Sequence, residues 1–177
     1  MKSVRSVVVA LVVVAGVVAT GGTLFALGAA ASAATVPSCV SNQLTVTKGV
    51  SQGAAGTIYT PLVITNHGRA CAVWGVPAIQ PVVGPAHRAL GPGARNNSVG
   101  QMPVRHVVAT GRSVSVAFGV SETGNYTPSS CVARSADGVI VSLGSFLQPR
   151  FVHMAISVCT KRASTFTRLI VAGVNGY

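Results

Sequence analysis

The sequence predicts an all-β protein, an antiparallel β-sandwich of about seven strands that follows an N-terminal signal segment. Three observations carry that expectation. Short runs alternate apolar and polar side chains at a period of two, as in Arg112 to Val120 (RSVSVAFGV). Clusters of Gly, Pro, Asn and Ser punctuate the chain between the runs. Beyond the leader, no apolar stripe at a period of about 3.6 lasts for three turns, so a helix would have no face to bury.

The leader comes first. Lys2 and Arg5 form a short positive start, and Ser6 to Thr20 (SVVVALVVVAGVVAT) is an apolar run. Small residues follow and end in Ala31-Ser32-Ala33, an A-x-A pattern that a signal peptidase could cut before Ala34. Residues 1–33 are therefore expected to be a signal peptide and 34–177 one β-sandwich domain. The alternative is an uncleaved anchor, because Ser6 to Ala34 carries no charge and is long enough to span a bilayer. Membrane contact is expected only through that segment. A lipid anchor on Cys39 is not expected, since Val36-Pro37-Ser38 lacks the leucine and small residues of a lipobox.

The strands follow in order. Gln43 to Lys48 alternates Leu44 and Val46 with Thr45 and Thr47. Thr57 to Thr65 is β-branched and apolar, and Pro61 within it implies an edge position or a bulge. Asn66-His67-Gly68 reads as a turn. Next comes Cys71-Ala72-Val73-Trp74, where the chain's only tryptophan is expected to fill core volume beside a disulfide, before Gly75-Val76-Pro77 turns the chain away. Exposure of Trp74 to a sugar ring or partner is the alternative. Pro81 to Pro103 is rich in Gly and Pro and reads as one long loop. In Arg112 to Val120, Val114, Val116, Phe118 and Val120 share a face, with Ser113, Ser115 and Ala117 opposite. Gly138 to Leu143, Phe151 to Val158 and Thr167 to Ala172 complete the set, and Asp137-Gly138 is expected to be a turn.

The four cysteines Cys39, Cys71, Cys131 and Cys159 all follow the leader, and an even count in an exported chain reads as two disulfides. Three connectivities are open. Pairing neighbours would close two loops of similar size, each stabilising by about 3–4 kcal/mol in the chain-entropy picture. Setting aside Lys2 and Arg5 leaves eleven basic side chains against Glu122 and Asp137, a net charge of about +9 with histidine neutral. Such a surface attracts polyanions. An acidic envelope polymer is one reading, and a generally basic soluble protein from a GC-rich genome is the other, because the charges are scattered singly. Nucleic acid is not expected as a partner, since the basic residues are not interleaved with aromatics.

The same inventory weighs against catalysis. Glycosidases need two carboxylates flanking one bond, and only Glu122 and Asp137 exist to supply them. No G-x-S-x-G occurs, and His67, His87, His106 and His153 would have to borrow one of those two acids to complete a triad. Neither C-x-x-C nor a histidine pair at i,i+4 is present, so no metal site and no cofactor are expected. The Gly-rich stretch Gly84 to Gly100 lacks the P-loop Lys.

Several features in sequence occur together. A cysteine precedes the first strand (Cys39-Val40-Ser41-Asn42-Gln43-Leu44), Gly53 to Gly56 (GAAG) leads into a strand ending Thr65-Asn66, and Cys71 precedes Gly75-Val76-Pro77. Cys131 sits ahead of the strand Val139 to Leu143, and Cys159 lies near the end. In these features the chain from Cys39 to about Gly173 resembles the actinobacterial secreted family known as domain of unknown function 4232. The resemblance implies an immunoglobulin-like β-sandwich and supplies no catalytic or binding residue. One departure is Ala109-Thr110-Gly111, where the family usually has a Pro-Gly turn. The expected function is a secreted, non-enzymatic binding or structural module of the cell envelope. Arg88, Arg95 and Arg105 are the candidate contacts for an anionic envelope polymer, by bidentate recognition of phosphate or carboxylate, and an envelope protein engaged through a sheet edge is the other partner class. The alternative is an envelope-acting enzyme with an unrecognised site.

Overall fold

Alternating segments become strands in the computed structural model, which describes residues 35–176, all of them within the unit Ala34–Tyr177. The signal segment expected at residues 1–33 lies outside the described residues. The strands are β1 (Leu44–Lys48), β2 (Gln52–Ala54), β3 (Thr57–Asn66), β4 (Cys71–Val73), β5 (Ala78–Val83), β6 (Arg88–Ala89) and β7 (Arg95–Asn96). They continue as β8 (His106–Val108), β9 (Ser113–Ser121), β10 (Ala133–Leu143), β11 (Leu147–Cys159), β12 (Thr165–Thr167) and β13 (Val171–Ala172). A single short α-helix, Pro128–Cys131, is present among the described residues.

One sheet runs β1-β3-β9-β12-β7, with β2 beside β3 and β13 beside β9, and a second runs β11-β10-β5-β6. β4 and β8 form a separate ribbon. Leu62, Val116 and Phe118 from the first sheet and Val139, Val141 and Leu147 from the second are completely buried in one shared core. Each such side chain contributes about 1.5–3 kcal/mol by leaving water. Two sheets over one core is the arrangement of a β-sandwich. The strand count exceeds the expected seven because β2, β4, β6, β7, β8, β12 and β13 are only two or three residues long. Segments that short have no period of their own, and a partner strand makes them extended.

Several local expectations change for physical reasons. Arg112 to Val120 forms β9 as expected, but both of its faces are buried, Ser115 and Ala117 included. Gly176 lies against the second face: its N–H donates to Ser115 Oγ (2.8 Å), and a Cβ on it would lie 3.1 Å from Ala117 N. Pro61 is not at a sheet edge, since β3 has β1 on one side and β9 on the other. Its carbonyl accepts from Gly49 N (2.7 Å), between the ladders of β1 and β2. The absent N–H points the same way, so no bond to β9 is lost.

Asp137 and Gly138 lie inside β10, at a register shift, rather than in a turn. Asp137 Oδ2 instead accepts from Gly84 N (2.8 Å) in the hairpin between β5 and β6. The loop expected at 81–103 instead holds the end of β5, then β6 and β7, and Thr167 to Ala172 divides into the end of β12 and β13. Trp74 is only half-buried and stands outside the core, edge-on to Phe146 at 4.5 Å. Gly119 explains how an aromatic fits on that second face of β9: Phe166 crosses it edge-on to Tyr59 at 5.6 Å, and any Cβ there would strike the ring.

The cysteines pair as Cys39–Cys71 and Cys131–Cys159. Ala109 to Arg112 still makes a tight turn despite lacking Pro-Gly. Arg112 N donates to Ala109 O (3.0 Å), Gly111 takes φ +72°, and Thr110 Oγ1 donates to Gly68 O (2.7 Å). Gly at the third position supplies the left-handed conformation that a type II turn requires.

Candidate functional site

Asp137, His87 and His153 lie around the β5–β6 hairpin, and Glu122, His67 and His106 are dispersed elsewhere. Asp137 is engaged in the β5–β6 hairpin, whereas Glu122 follows β9 and is exposed, its N–H donating to Gly56 O (2.9 Å). Each imidazole has its own neighbour. His67 Nε2 lies 2.8 Å from Thr45 Oγ1, His106 Nε2 donates to Ile170 O (3.1 Å), and His87 stacks on Phe151 at 4.1 Å, with His153 tilted 6.3 Å from the same ring. Among the described residues no hydrogen bond joins a histidine to a carboxylate. The triad geometry that a nucleophilic serine needs is not assembled from these groups.

The three candidate arginines occupy three different elements. Arg88 is exposed on β6, at the edge of the second sheet, and Arg95 is exposed on β7, at the edge of the first. Arg105 precedes β8; its guanidinium donates to Val36 O (2.6 Å) and lies 5.3 Å above the Trp74 ring. A cation over an aromatic face contributes about 0.5–1 kcal/mol at an exposed site. Arg105 is thus partly committed to holding the chain near β4, while Arg88 and Arg95 present their charge to solvent. Among the described residues neither Glu122 nor Asp137 forms an ion pair with any of them.

A cleft that the sequence did not reveal opens between the two sheets. It encloses about 430 Å³ beside Ile58 and Thr60 of β3, Val120 of β9 and Met154 of β11, with Lys48 and Glu122 also lining it. Thr60, Val120 and Met154 are buried, and Ile58 is 42% exposed. Apolar walls with a few polar groups at that volume suit a small ligand. The strands supply this lining by alternation, but the cleft joins residues from opposite ends of the chain, so no local pattern announces it. Ser51 Oγ and Thr60 Oγ1 are bonded to each other (2.7 Å), and Glu122 is the one carboxylate that lines the cleft.

Residues 39–169 match the family described as Domain of unknown function (DUF4232), and the chain belongs to that family. The matched span holds all four cysteines, both sheets' long strands and the cleft. No curated protein and no solved structure matches the chain.

Proposed function

We propose that this member of the DUF4232 family is an exported, non-enzymatic binding or structural module of the bacterial cell envelope, contacting anionic envelope polymers through its arginines. The signal peptide at 1–33, an immunoglobulin-like form of the sandwich and an actinobacterial source belong to the same proposal. The observation that carries it is the unneutralised charge: Arg88 and Arg95 are exposed on strand edges, and among the described residues no ion pair offsets them. Guanidinium forks on a surface of this sign attract phosphate and carboxylate groups. Two disulfides in a chain this short favour an oxidising compartment, outside the cytoplasm. Among the described residues no helix is long and apolar enough to cross a membrane.

Sedimentation with purified bacterial cell walls tests the reading. Binding is expected at low ionic strength and should fall as salt screens the charges. Arg88→Glu with Arg95→Glu should weaken it further. No binding at low salt would remove the electrostatic proposal.

The cleft favours a second reading, an envelope-acting enzyme that uses Glu122 as a proton donor or acceptor beside a bound ligand. Incubation with envelope polysaccharides and simple esters, followed by mass spectrometry, discriminates between the two. Turnover that disappears in Glu122→Gln would replace the binding proposal.

A further inference from the structure

The ribbon of β4 and β8 has an unusual edge. β4 is paired on both sides, because Ala72 N donates to Pro37 O (2.8 Å) and Cys39 N donates to Ala72 O (2.9 Å). Ala72 is also the register partner of Val107. A residue whose N–H and C=O both point to one neighbour cannot offer them to the other. Ala72 and Val107 are therefore a non-bonded pair, and the Val107 N–H and C=O point outward from β8. Among the described residues nothing accepts or supplies those bonds.

β13 presents the same feature. Gly173 N donates to Ser113 O (3.1 Å), and Ala172 is the register partner of Val114. By the same alternation, Val171 and Gly173 bond to β9 while the Ala172 N–H and C=O point away from it. Both outward-facing residues line one groove of about 720 Å³. His106, donating to Ile170 O, bridges its two sides. Two unpaired backbone edges on one groove offer a peptide strand partners on both sides, where an ordinary sheet edge offers one.

The side chains indicate what sort of strand. Arg105 and Arg112 line the groove, and no carboxylate does. Val107 and Val174 are 60% and 53% exposed on its walls. A second copy of this chain is a poor occupant. Its net charge has the same sign, and its two acids are Glu122, beyond the end of β9, and Asp137, inside β10. The geometry points to an extended acidic segment of a different protein, alternating carboxylate and β-branched side chains, that enters between β8 and β13 as an added strand. Its carboxylates meet Arg112, its apolar residues cover Val107 and Val174, and its backbone pairs with Val107 and Ala172. This inference concerns a protein partner and stands independently of the polymer reading above.

The probe is a short capped peptide of alternating Glu and Val, compared with polyglutamate and with the Lys–Val counterpart. Amide hydrogen exchange is followed by nuclear magnetic resonance on the protein carrying both disulfides. The Glu–Val peptide should slow exchange at Val107 and Ala172, and the Lys–Val peptide should not bind. Val107→Pro removes an N–H that no internal bond uses, so it should abolish binding with an unchanged thermal midpoint. Should that variant fold poorly, Arg112→Glu carries the test, with affinity expected to fall about tenfold at low salt. Unprotected Val107 and Ala172 amides at saturating peptide would overturn the inference. So would full binding by a folded Val107→Pro or Arg112→Glu protein, or polyglutamate binding as tightly as the peptide at every salt concentration.

Discussion

The β10–β11 hairpin and the β4–β8 ribbon are both antiparallel pairs next to a disulfide, yet they are held in opposite ways. β10 and β11 are adjacent in the chain, pair from Ala133↔Cys159 to Leu143↔Leu147, and are joined by a tight turn. Their ladder is local, and Cys131–Cys159 lies at its far end, where pairing is already complete. β4 and β8 pair over only three residues and lie far apart in sequence. Loop-closure entropy works against such a pair until tertiary contacts offset it. The contacts that do so are Cys39–Cys71 and the Asn66 side chain. A region secured by a few non-local contacts is also the one that can leave an edge open.

The largest expected effect breaks the ribbon through Asn66. This fully buried amide accepts from Gln43 Nε2 (3.1 Å) and Gly68 N (2.9 Å) and donates to Arg69 O and Val108 O (each 2.9 Å). Asn66→Ala leaves two carbonyls and a turn N–H without these partners, and should cost about 3–4 kcal/mol in urea unfolding. The equivalent loss in the hairpin has no single-residue counterpart.

Removing the disulfides one at a time sharpens the contrast. Their loops are nearly equal, with sequence separations of 32 and 28. Cys39→Ala with Cys71→Ala and Cys131→Ala with Cys159→Ala should therefore each lower global stability by a similar amount, about 3–4 kcal/mol. Native-state exchange should separate them. Loss of Cys39–Cys71 should release the His106 and Val108 amides well before global unfolding, while loss of Cys131–Cys159 should leave the middle of β10 protected. Early exchange in β10 instead would contradict the comparison. The smallest effect is at Arg105. Arg105→Ala should cost under about 1 kcal/mol, because its cation–π contact with Trp74 is at the surface. A Lys in its place should recover part of that loss.

How legible each part was depended on how local its cause is. β1, β9 and β11 were visible because alternation at period two needs only the strand itself, β3 because it is β-branched and apolar, and Val152, Met154 and Val158 are buried on the predicted face. Asn66 was recognised as a turn residue, but its bond to Val108 lies 42 residues away and left no local sign. Asp137-Gly138 has turn chemistry that tertiary pairing overrode: β5 and β11 flank β10 on both sides, and a bulge absorbs the misfit. Trp74 was assigned to the core on its size and its place beside a disulfide cysteine, whereas the indole is half-buried against Arg105 and Phe146. Exposure of Arg88 and Arg95 agrees with their charge; the cleft at Glu122 could not be read, because β3, β9 and β11 meet there only after folding.

By itself the sequence determined the all-β character, the positions of the long strands and the shortage of carboxylates, because periodicity and composition are properties of the chain at any point along it. The tertiary structure alone decided which cysteines pair, how the second face of β9 is covered, and that the β8 and β13 edges share a groove. Those outcomes depend on which distant segments compete for the same backbone hydrogen bonds, and that competition is resolved only when the chain closes on itself.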